Sequence, residues 1–586
     1  MPSPSDTGDV AVSEDPETSE DAAIAEETDP AGEPAGELEP AGDAPADESQ
    51  PTGGSRLIEL LYAAGALVFL AILTGYRISV ARGARHPGHA DPSFTFGVAQ
   101  NIHAGRGENI DYVWHFLIPG THLNHYAFDY WLPLPSQLMA VALSVGHNRG
   151  LPAALDLNIL MVVLMCLGSY ALARAFTRSP WVPAVSALVV AVQPVVSRFA
   201  LQSESAVYFG AFAIPAMAAA IYARQKLRWW PVAGVFAALA AMSRSEGLLL
   251  CVVIGIAALI WTENSRWYVR VGLLLAGYLP VSAPFLIQNF SHFGAPLPPS
   301  SSAFPFINSY EQLFAPHVDR SLHALFPQGL NAFIQLRASA LNGEVRSAVS
   351  SLTPAVAVLC LLLAGGAAFA SRAALHRRDP DRPSRPSALR SSWFVPAGFL
   401  LVVFLFDAIV APVVSGAGAT NKVMVAGVPI ITVAAVVQLA RARLPVAVTA
   451  FICAVLVILP LATLATDSRA VVHDNNANGD AMAALIPILK AEQACLNRPL
   501  VLMTRSPWEF NQVTGYPAVQ LPDGSQADIL KIAAQYGVTD IENPGLRASM
   551  RNTTTSLGAG GPLIQPATLT GRNIYRIKST TAGARC

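Results

Sequence analysis

The sequence predicts an α-helical polytopic membrane protein with a small α/β domain at its C-terminal end. Three observations carry this. Of 586 residues, 52% are hydrophobic and only 13% charged, against about 25% charged in soluble domains. Apolar runs near the length that crosses a bilayer, about 20 residues, recur along the chain. Polar, aromatic segments too long to be plain connectors interrupt them at 80–150, 291–350 and after 467. The mean hydropathy of +0.41 agrees.

Residues 1–54 are rich in Asp, Glu, Pro, Ala and Gly and contain no Lys and no aromatic side chain. Such a segment buries too little apolar surface to offset the cost of ordering, so it is expected to be a disordered acidic cytoplasmic tail. Docking of a cytoplasmic partner is the functional alternative. With no basic n-region and no apolar h-region, it does not read as a signal peptide.

Apolar runs follow near 57–78, 152–173, 180–198, 205–223, 229–243, 247–262, 271–290, 351–371, 393–413, 422–440 and 445–466. The run 132–146 is short and opens on two prolines. Leaving it out of the count, with the N-terminus inside, puts every dense basic loop on one side. These are Arg174 and Arg178; Arg224, Lys226 and Arg228; Arg266 and Arg270; the cluster Arg372, Arg377, Arg378, Arg382, Arg385 and Arg390; and Arg441 with Arg443. By the positive-inside rule that side is cytoplasmic. The expectation is therefore about eleven transmembrane helices, an outer interfacial helix at 132–146, and an extracytoplasmic C-terminus. The domains read as 1–54, a transmembrane domain at 55–467 with outer loops 80–150 and 291–350, and an extracytoplasmic domain at 468–586.

The last region alternates in character. AMAALIPILKAEQA and DGSQADILKIAAQYG have helical spacing, while PLVLMT, GVTDIEN and NIYRIK read as strands, which together suggest a small α/β unit. No GxGxxG loop or P-loop lysine is present, so no nucleotide-binding motif is recognisable. Cys166, Cys251, Cys360 and Cys453 fall within spans, where a small apolar side chain is ordinary. Cys495 and Cys586 both fall in the outer domain, where a disulfide or two free thiols remain open.

Candidate functional residues gather on the outer face. Asp91 follows the first span; it can serve as a general base or, as Asp-Pro-Ser before an apolar helix, as an N-cap. Glu204 lies on the turn SRFALQSES at 197–205, and an acid at the membrane rim is a functional candidate by default. Arg244 and Glu246 lie on the turn MSRSEG at 242–247; the arginine offers donors to a lipid phosphate, or the two pair with each other. His115, His122 and His125 have the spacing His-x6-His-x2-His, which matches no strong metal pattern. Asp129, Tyr130 and Trp131 suit a sugar or an aromatic belt. Asp407 is an acid within an apolar span without an evident partner.

The order of these features resembles the GT-C polytopic glycosyltransferases, in particular the protein-mannosyltransferase and aminoarabinose-transferase branch often labelled family 39. The resemblance rests on the acid at 91, NIHAGRG at 101–107, YWLP at 130–133, Glu204 on the next outer turn and SRSEGLL at 243–249. The phrases SAPFLIQNFSHFGAPLPPSSS at 282–302 and MTRSPWEFNQVTGYPAVQLPDG at 503–524 are also similar to that group. The resemblance implies transfer of a hexose or pentose from a polyprenyl-phosphate donor to a lipid, glycan or protein acceptor on the outer face. Asp91 would inherit the base or orienting role, Glu204 the second outer acid, and Arg244 the place near the donor phosphate. His115, Asp129, Tyr130, Trp131 and Glu246 would bind substrate. A divalent cation fits the family, but Pro92 stands where it often has a second acid, which weakens the case for an ion bridging paired carboxylates.

Two other functions compete. A transporter or flippase would place ionisable groups at mid-span and show a repeated architecture; only Asp407 is mid-span. A non-catalytic envelope assembly protein would tolerate loss of Asp91.

Overall fold

The computed structural model describes residues 53–118, 121–146, 149–261, 266–326, 328–363, 391–414, 419–496, 499–543, 563–569 and 572–577. The expected tail, the basic cluster at 372–390, and Cys586 lie outside them, so the Cys495–Cys586 pairing does too.

The chain enters through α1 (Gly53–Ala81) and reaches the end of the bundle that carries the site. There α2 (Ala90–His103), the antiparallel pair β1 (Asn109–Val113) and β2 (Asn124–Tyr126), and α3 (Leu134–Val145) form a cap. The bundle continues through α4 (Leu151–Phe176), α5 (Trp181–Ala191), α6 (Pro194–Ala200), α7 (Ser205–Ala223), α8 (Trp229–Ser243), α9 (Glu246–Ile260) and α10 (Trp267–Phe293). Two 3-10 turns, Pro299–Phe306 and Tyr310–Phe314, then α11 (Leu322–Leu325) and α12 (Gly329–Ser351), return over the capped end. After a bend of 112° comes α13 (Pro354–Leu363). α14 (Phe394–Val410), α15 (Pro412–Val414), α16 (Thr420–Arg441) and α17 (Val446–Ala483) complete the bundle.

Among the described residues, six helices are long and apolar enough to cross a membrane, or up to eight if each bent pair is one span. Three of the eleven expected spans, α8, α9 and α14, fall short of that length at 15, 15 and 17 residues. The 12-residue α3 is likewise short. Burial sorts the long helices. α7 and α16 have 89% and 78% of their most apolar window inside the protein, whereas α1 and α17 have 17% and 11%. α7 and α16 are thus the bundle centre. The outward faces of α1 and α17, with Ile72 at 69% and Phe451 at 70% exposure, present apolar surface to surroundings that must be apolar as well. One buried cation holds the periphery to the centre: Arg77 of α1 donates to the Ala191 carbonyl at 2.5 Å and to Ser197 Oγ at 2.7 Å. These bonds satisfy the break between α5 and α6, which meet at 59° before Pro194 and leave a carbonyl without its helical partner.

α17 is 38 residues long, about 57 Å at 1.5 Å per residue, so it runs well past an apolar layer of about 30 Å. It feeds α18 (Ile486–Leu496), β3 (Leu502–Thr504), α19 (Pro507–Thr514), β4 (Ala518–Gln520), α20 (Gln526–Tyr536), β5 (Asp540–Asn543), β6 (Leu563–Leu569) and β7 (Arg572–Ile577). The expected helices and strands of the C-terminal region are present, and Ser525 starts α20 with a reciprocal capping box to Asp528. The seven-stranded sheet has the order β2-β1-β4-β3-β5-β7-β6. β1 runs parallel to β4, with Tyr112 opposite Ala518 and Val113 opposite Val519. The loop after the first span and the C-terminal region therefore share one backbone ladder, and both take part in the same apolar core through Ile110, Phe128, Leu502 and Phe510.

Candidate active site

The bundle end beneath this sheet collects charged residues from four separate stretches of chain. Asp91 sits in the first turn of α2, Glu204 is the residue before α7, Arg244 and Glu246 flank the α8–α9 turn, and Lys422 lies in the first turn of α16. Each is at a helix end, where an apolar run stops and polar groups can be set without breaking the span.

α2 is locked to the Glu204 turn by local bonds. Ser203 Oγ donates to the Pro92 carbonyl at 3.0 Å, and Gln202 Nε2 meets His89 Nε2 at 3.4 Å. The buried Asn158 amide of α4 donates to the Gln202 carbonyl. Upstream, Gly88 has φ of +102°, and a Cβ there would stand 2.4 Å from Asn475 Oδ1 of α17, so only glycine fits this approach. The aromatic rings of Trp131 and Phe94 lie 4.2 Å apart and those of Trp131 and Trp114 4.3 Å apart, with Trp508 of α19 against Trp114 at 5.6 Å. α2, and with it Asp91, is thus held by the C-terminal region as well as by the bundle.

Lys422 Nζ bridges the two acids. It donates to Asp91 Oδ2 and lies 2.5 Å from Glu204 Oε1. Glu204 is fully buried, and its Oε2 has no hydrogen-bond partner among the described residues. Asp91 and Lys422 keep 19% and 16% of their side chains exposed. Burial alone would push the Asp91 carboxyl up; the charge and hydrogen bond of Lys422, helped by His89 and Arg244, outweigh it and hold Asp91 below its ordinary value. Its place in the first turn of a helix favours the same ionised form. Burial pushes the His89 imidazole down, against the pull of Glu204 and Asp91.

Arg244 Nη2 donates to Glu246 Oε1 at 2.6 Å, and Nη1 reaches Ser205 Oγ at 3.4 Å. The two residues of the MSRSEG turn therefore pair, and Arg244 Nε keeps no partner among the described residues. Gly247 makes this turn: a Cβ there would lie 2.3 Å from the backbone of Ala240. Tyr130 is close enough to Asp91, Arg244 and Glu246 to interact with their charges, and burial followed by those acids raises its phenol.

The other expected residues sit elsewhere or face inward. Asp91 is not an N-cap; His89 holds that position, without a side-chain capping bond, and α2 begins at Ala90. Trp131 packs against Phe94 and Trp114. Asp129 is 3% exposed and pairs with His115 Nε2 at 3.3 Å and His125 Nε2 at 3.6 Å. Burial would raise its carboxyl, but the two imidazoles bring it down to about 2. This cluster props the loop from beneath and is separate from the Lys422 group. Asp407 is buried in α14, within electrostatic reach of Glu246 and Glu344. Lys422 was not among the sequence candidates. Its signal was present, an ionisable side chain at the start of an otherwise apolar span.

Residues 133–287 match the profile of the dolichyl-phosphate-mannose-protein mannosyltransferase family. No curated protein matches the sequence as a whole. Among solved structures, the apo oligosaccharyltransferase of Archaeoglobus fulgidus is similar over 85% of this chain and 71% of its own, at 11% identity and a TM-score of 0.50. ArnT from Cupriavidus metallidurans bound to undecaprenyl phosphate is similar over 89% and 98%, at 14% identity and a TM-score of 0.48. The arabinofuranosyltransferase AftD from Mycobacteria is similar over 88% and 42%, at 13% identity and a TM-score of 0.43. The chain has the GT-C fold of the polytopic membrane glycosyltransferases, and its residues 133–287 resemble the dolichyl-phosphate-mannose-protein mannosyltransferase family.

Proposed function

We propose that the protein is a membrane glycosyltransferase that moves a hexosyl or pentosyl group from a polyprenyl-phosphate donor to a hydroxyl acceptor on the outer face of the membrane. The observation that carries this reading is the convergence of Asp91, Glu204, Arg244 and Lys422 at one end of an apolar bundle. Two acids and two cations at the rim suit a reaction in which a hydroxyl loses a proton while a phosphate departs.

In this reading Asp91 receives the acceptor proton. The acceptor oxygen bonds to the anomeric carbon, and the carbon–oxygen bond to phosphate breaks with its electron pair going to the phosphate. Arg244 steadies the departing charge, with a free Nε beyond its bond to Glu246. Glu204 anchors Lys422, and Tyr130 borders the sugar. His115 and Asp129 support the loop from which Tyr130 projects. The described residues of the region 468–586, which share the sheet with β1 and hold α2, belong to an outer domain that takes part in acceptor choice. The donor set does not fit a divalent cation: the Lys422 ammonium already bridges the two acids, and among the described residues no group of three or more His, Cys, Asp or Glu side chains is arranged to hold a metal ion. No step is therefore routed through a metal.

Orientation has support from charge. Arg174, Arg178, Arg224, Lys226, Arg228, Arg266, Arg441 and Arg443 all lie at the bundle end away from Asp91. The positive-inside rule makes that end cytoplasmic and the site external, with the N-terminus inside.

The test is transfer by wild type and Asp91→Asn in native-like membranes, with polyprenyl-phosphate sugars and extracted acceptors. A general base contributes about 10²–10⁴-fold, so the variant should fold normally and lose at least a hundredfold in rate. Undiminished transfer by Asp91→Asn would move the base elsewhere, and no transfer by wild type from any donor would favour a transporter or assembly protein.

A further inference from the structure

Lys422 contacts two carboxylates that differ sharply in access. Glu204 is sealed at 0% exposure, while Asp91 keeps 19% and the lysine 16%. Any anion entering from outside meets the Lys422–Asp91 edge and not the Lys422–Glu204 edge. The nearby charges are also closely paired: Lys422 contacts Asp91 and Glu204, and Arg244 donates to Glu246 with only its Nε unpartnered among the described residues, while the exposed Arg198 acts on His89 from farther out. His89 lies close to all three of Asp91, Glu204 and Lys422, and burial pushes its imidazole down. A negatively charged headgroup that reaches the Asp91 edge thus draws most directly on the Lys422 ammonium, which then exchanges a carboxylate for it. Lysine suits such an exchange, being a compact charge on a flexible stem rather than a planar fork fixed by two bonds.

We propose that Lys422 is a phosphate ligand of this site beside Arg244, held in reserve by the two carboxylates, and that an arriving polyprenyl phosphate takes the ammonium from Asp91 while Glu204 retains it. This rests on the transferase reading and adds an order of events to it. Without the lipid phosphate, Asp91 is tied to an ammonium and is a poor proton acceptor. With the phosphate on Lys422, the Asp91 carboxylate is released beside the reacting carbon. The base is therefore unmasked only when the leaving group is in place, which protects a reactive donor from being approached by an armed base and an unbound acceptor. Glu204 needs no exposure for this role, because it acts on the lysine and never on the substrate; it is a positioning residue.

The experiment is binding of undecaprenyl phosphate to purified full-length protein in nanodiscs, with no sugar and no acceptor. Asp91→Asn removes one competitor for the ammonium at constant shape, so the variant expected to be dead in transfer should bind the lipid phosphate more tightly, by about tenfold, where each tenfold is about 1.4 kcal/mol. Lys422→Met combined with Glu204→Gln, which leaves no sealed charge unpaired, should bind it at least about tenfold more weakly. Loss of the Asp91 charge favours an anion through space as well, so the loss in the double variant, which leaves the net charge unchanged, is what separates ligation by Lys422 from a scaffolding role. Unchanged or weaker binding by Asp91→Asn overturns the proposal, as does wild-type affinity in the double variant. The two readings fail separately. Transfer abolished in Asp91→Asn without a gain in phosphate affinity keeps the transferase and overturns the exchange. The gain and loss of affinity without transfer from any donor keeps the phosphate site and overturns the transferase.

Discussion

Lys422→Met in otherwise intact protein tests the electrostatic design directly, because the two acids it leaves behind differ so much in burial. Methionine keeps most of the stem and removes only the charge. Glu204, at 0% exposure and with Oε2 already unpartnered among the described residues, is then a sealed carboxylate without a contacting cation. Removing one member of a buried pair costs about 3–5 kcal/mol. Asp91 is 19% exposed and can be reached by water, so its share of the loss is smaller, about 1 kcal/mol or less. The expected destabilisation is thus about 3–5 kcal/mol, nearly all of it from Glu204. Adding Glu204→Gln should restore most of this, while adding Asp91→Asn should restore about 1 kcal/mol at most. Equilibrium unfolding in mixed micelles, followed by tryptophan fluorescence, measures all four proteins. Equal rescue by the two second changes would refute the assignment of the cost to burial of Glu204. A Lys422→Met protein as stable as wild type would refute the bridge itself.

Two further outcomes follow from the geometry. Asp129, whose carboxyl lies at about 2 against an ordinary 3.8, contributes stability that is fully present above about pH 4 and lost as pH falls through 2, at most about 2.5 kcal/mol at 1.36 per unit; the advantage of wild type over Asp129→Asn in thermal unfolding should shrink only in that window, and an advantage that survives at pH 2 would place its source outside the His115–Asp129–His125 cluster. For orientation, a cysteine at Ser302, beyond α10 near the site, should react with an impermeant maleimide added to intact cells, whereas one at Lys226, in the α7–α8 turn, should react only after lysis; the reverse pattern would invert the topology.

The bundle and the rim residues were legible because hydropathy gives depth. An apolar run fixes where a span ends, and the positive-inside rule says which ends share a side. Asp91, Glu204, Arg244 and Glu246 stand at ends on one side, and a compact bundle brings such ends together whatever the lateral order of its helices. Depth carries no lateral information, however. The sequence reading could place His115, Asp129 and Trp131 on the outer side but not tell an open face from a packed one; Asp129 turned inward to two histidines, and Trp131 to Phe94 and Trp114. Strand β4 has three residues and β1 has five, too few for an alternation to rise above its surroundings, so the ladder joining the first loop to the C-terminal region left no local mark. Lys422 shows the same limit at the site itself. At the start of a span, a lone lysine has a ready explanation in snorkelling to the membrane surface, and nothing near it in sequence argues otherwise. Its partners are 331 residues away in Asp91 and 218 away in Glu204. What separates a snorkelling lysine from a bridging one is the direction of its stem, inward at 16% exposure rather than outward. That direction is set by the packing of α16 at the centre of the bundle, against α4, α5 and α7, which no property of the lysine's own segment encodes.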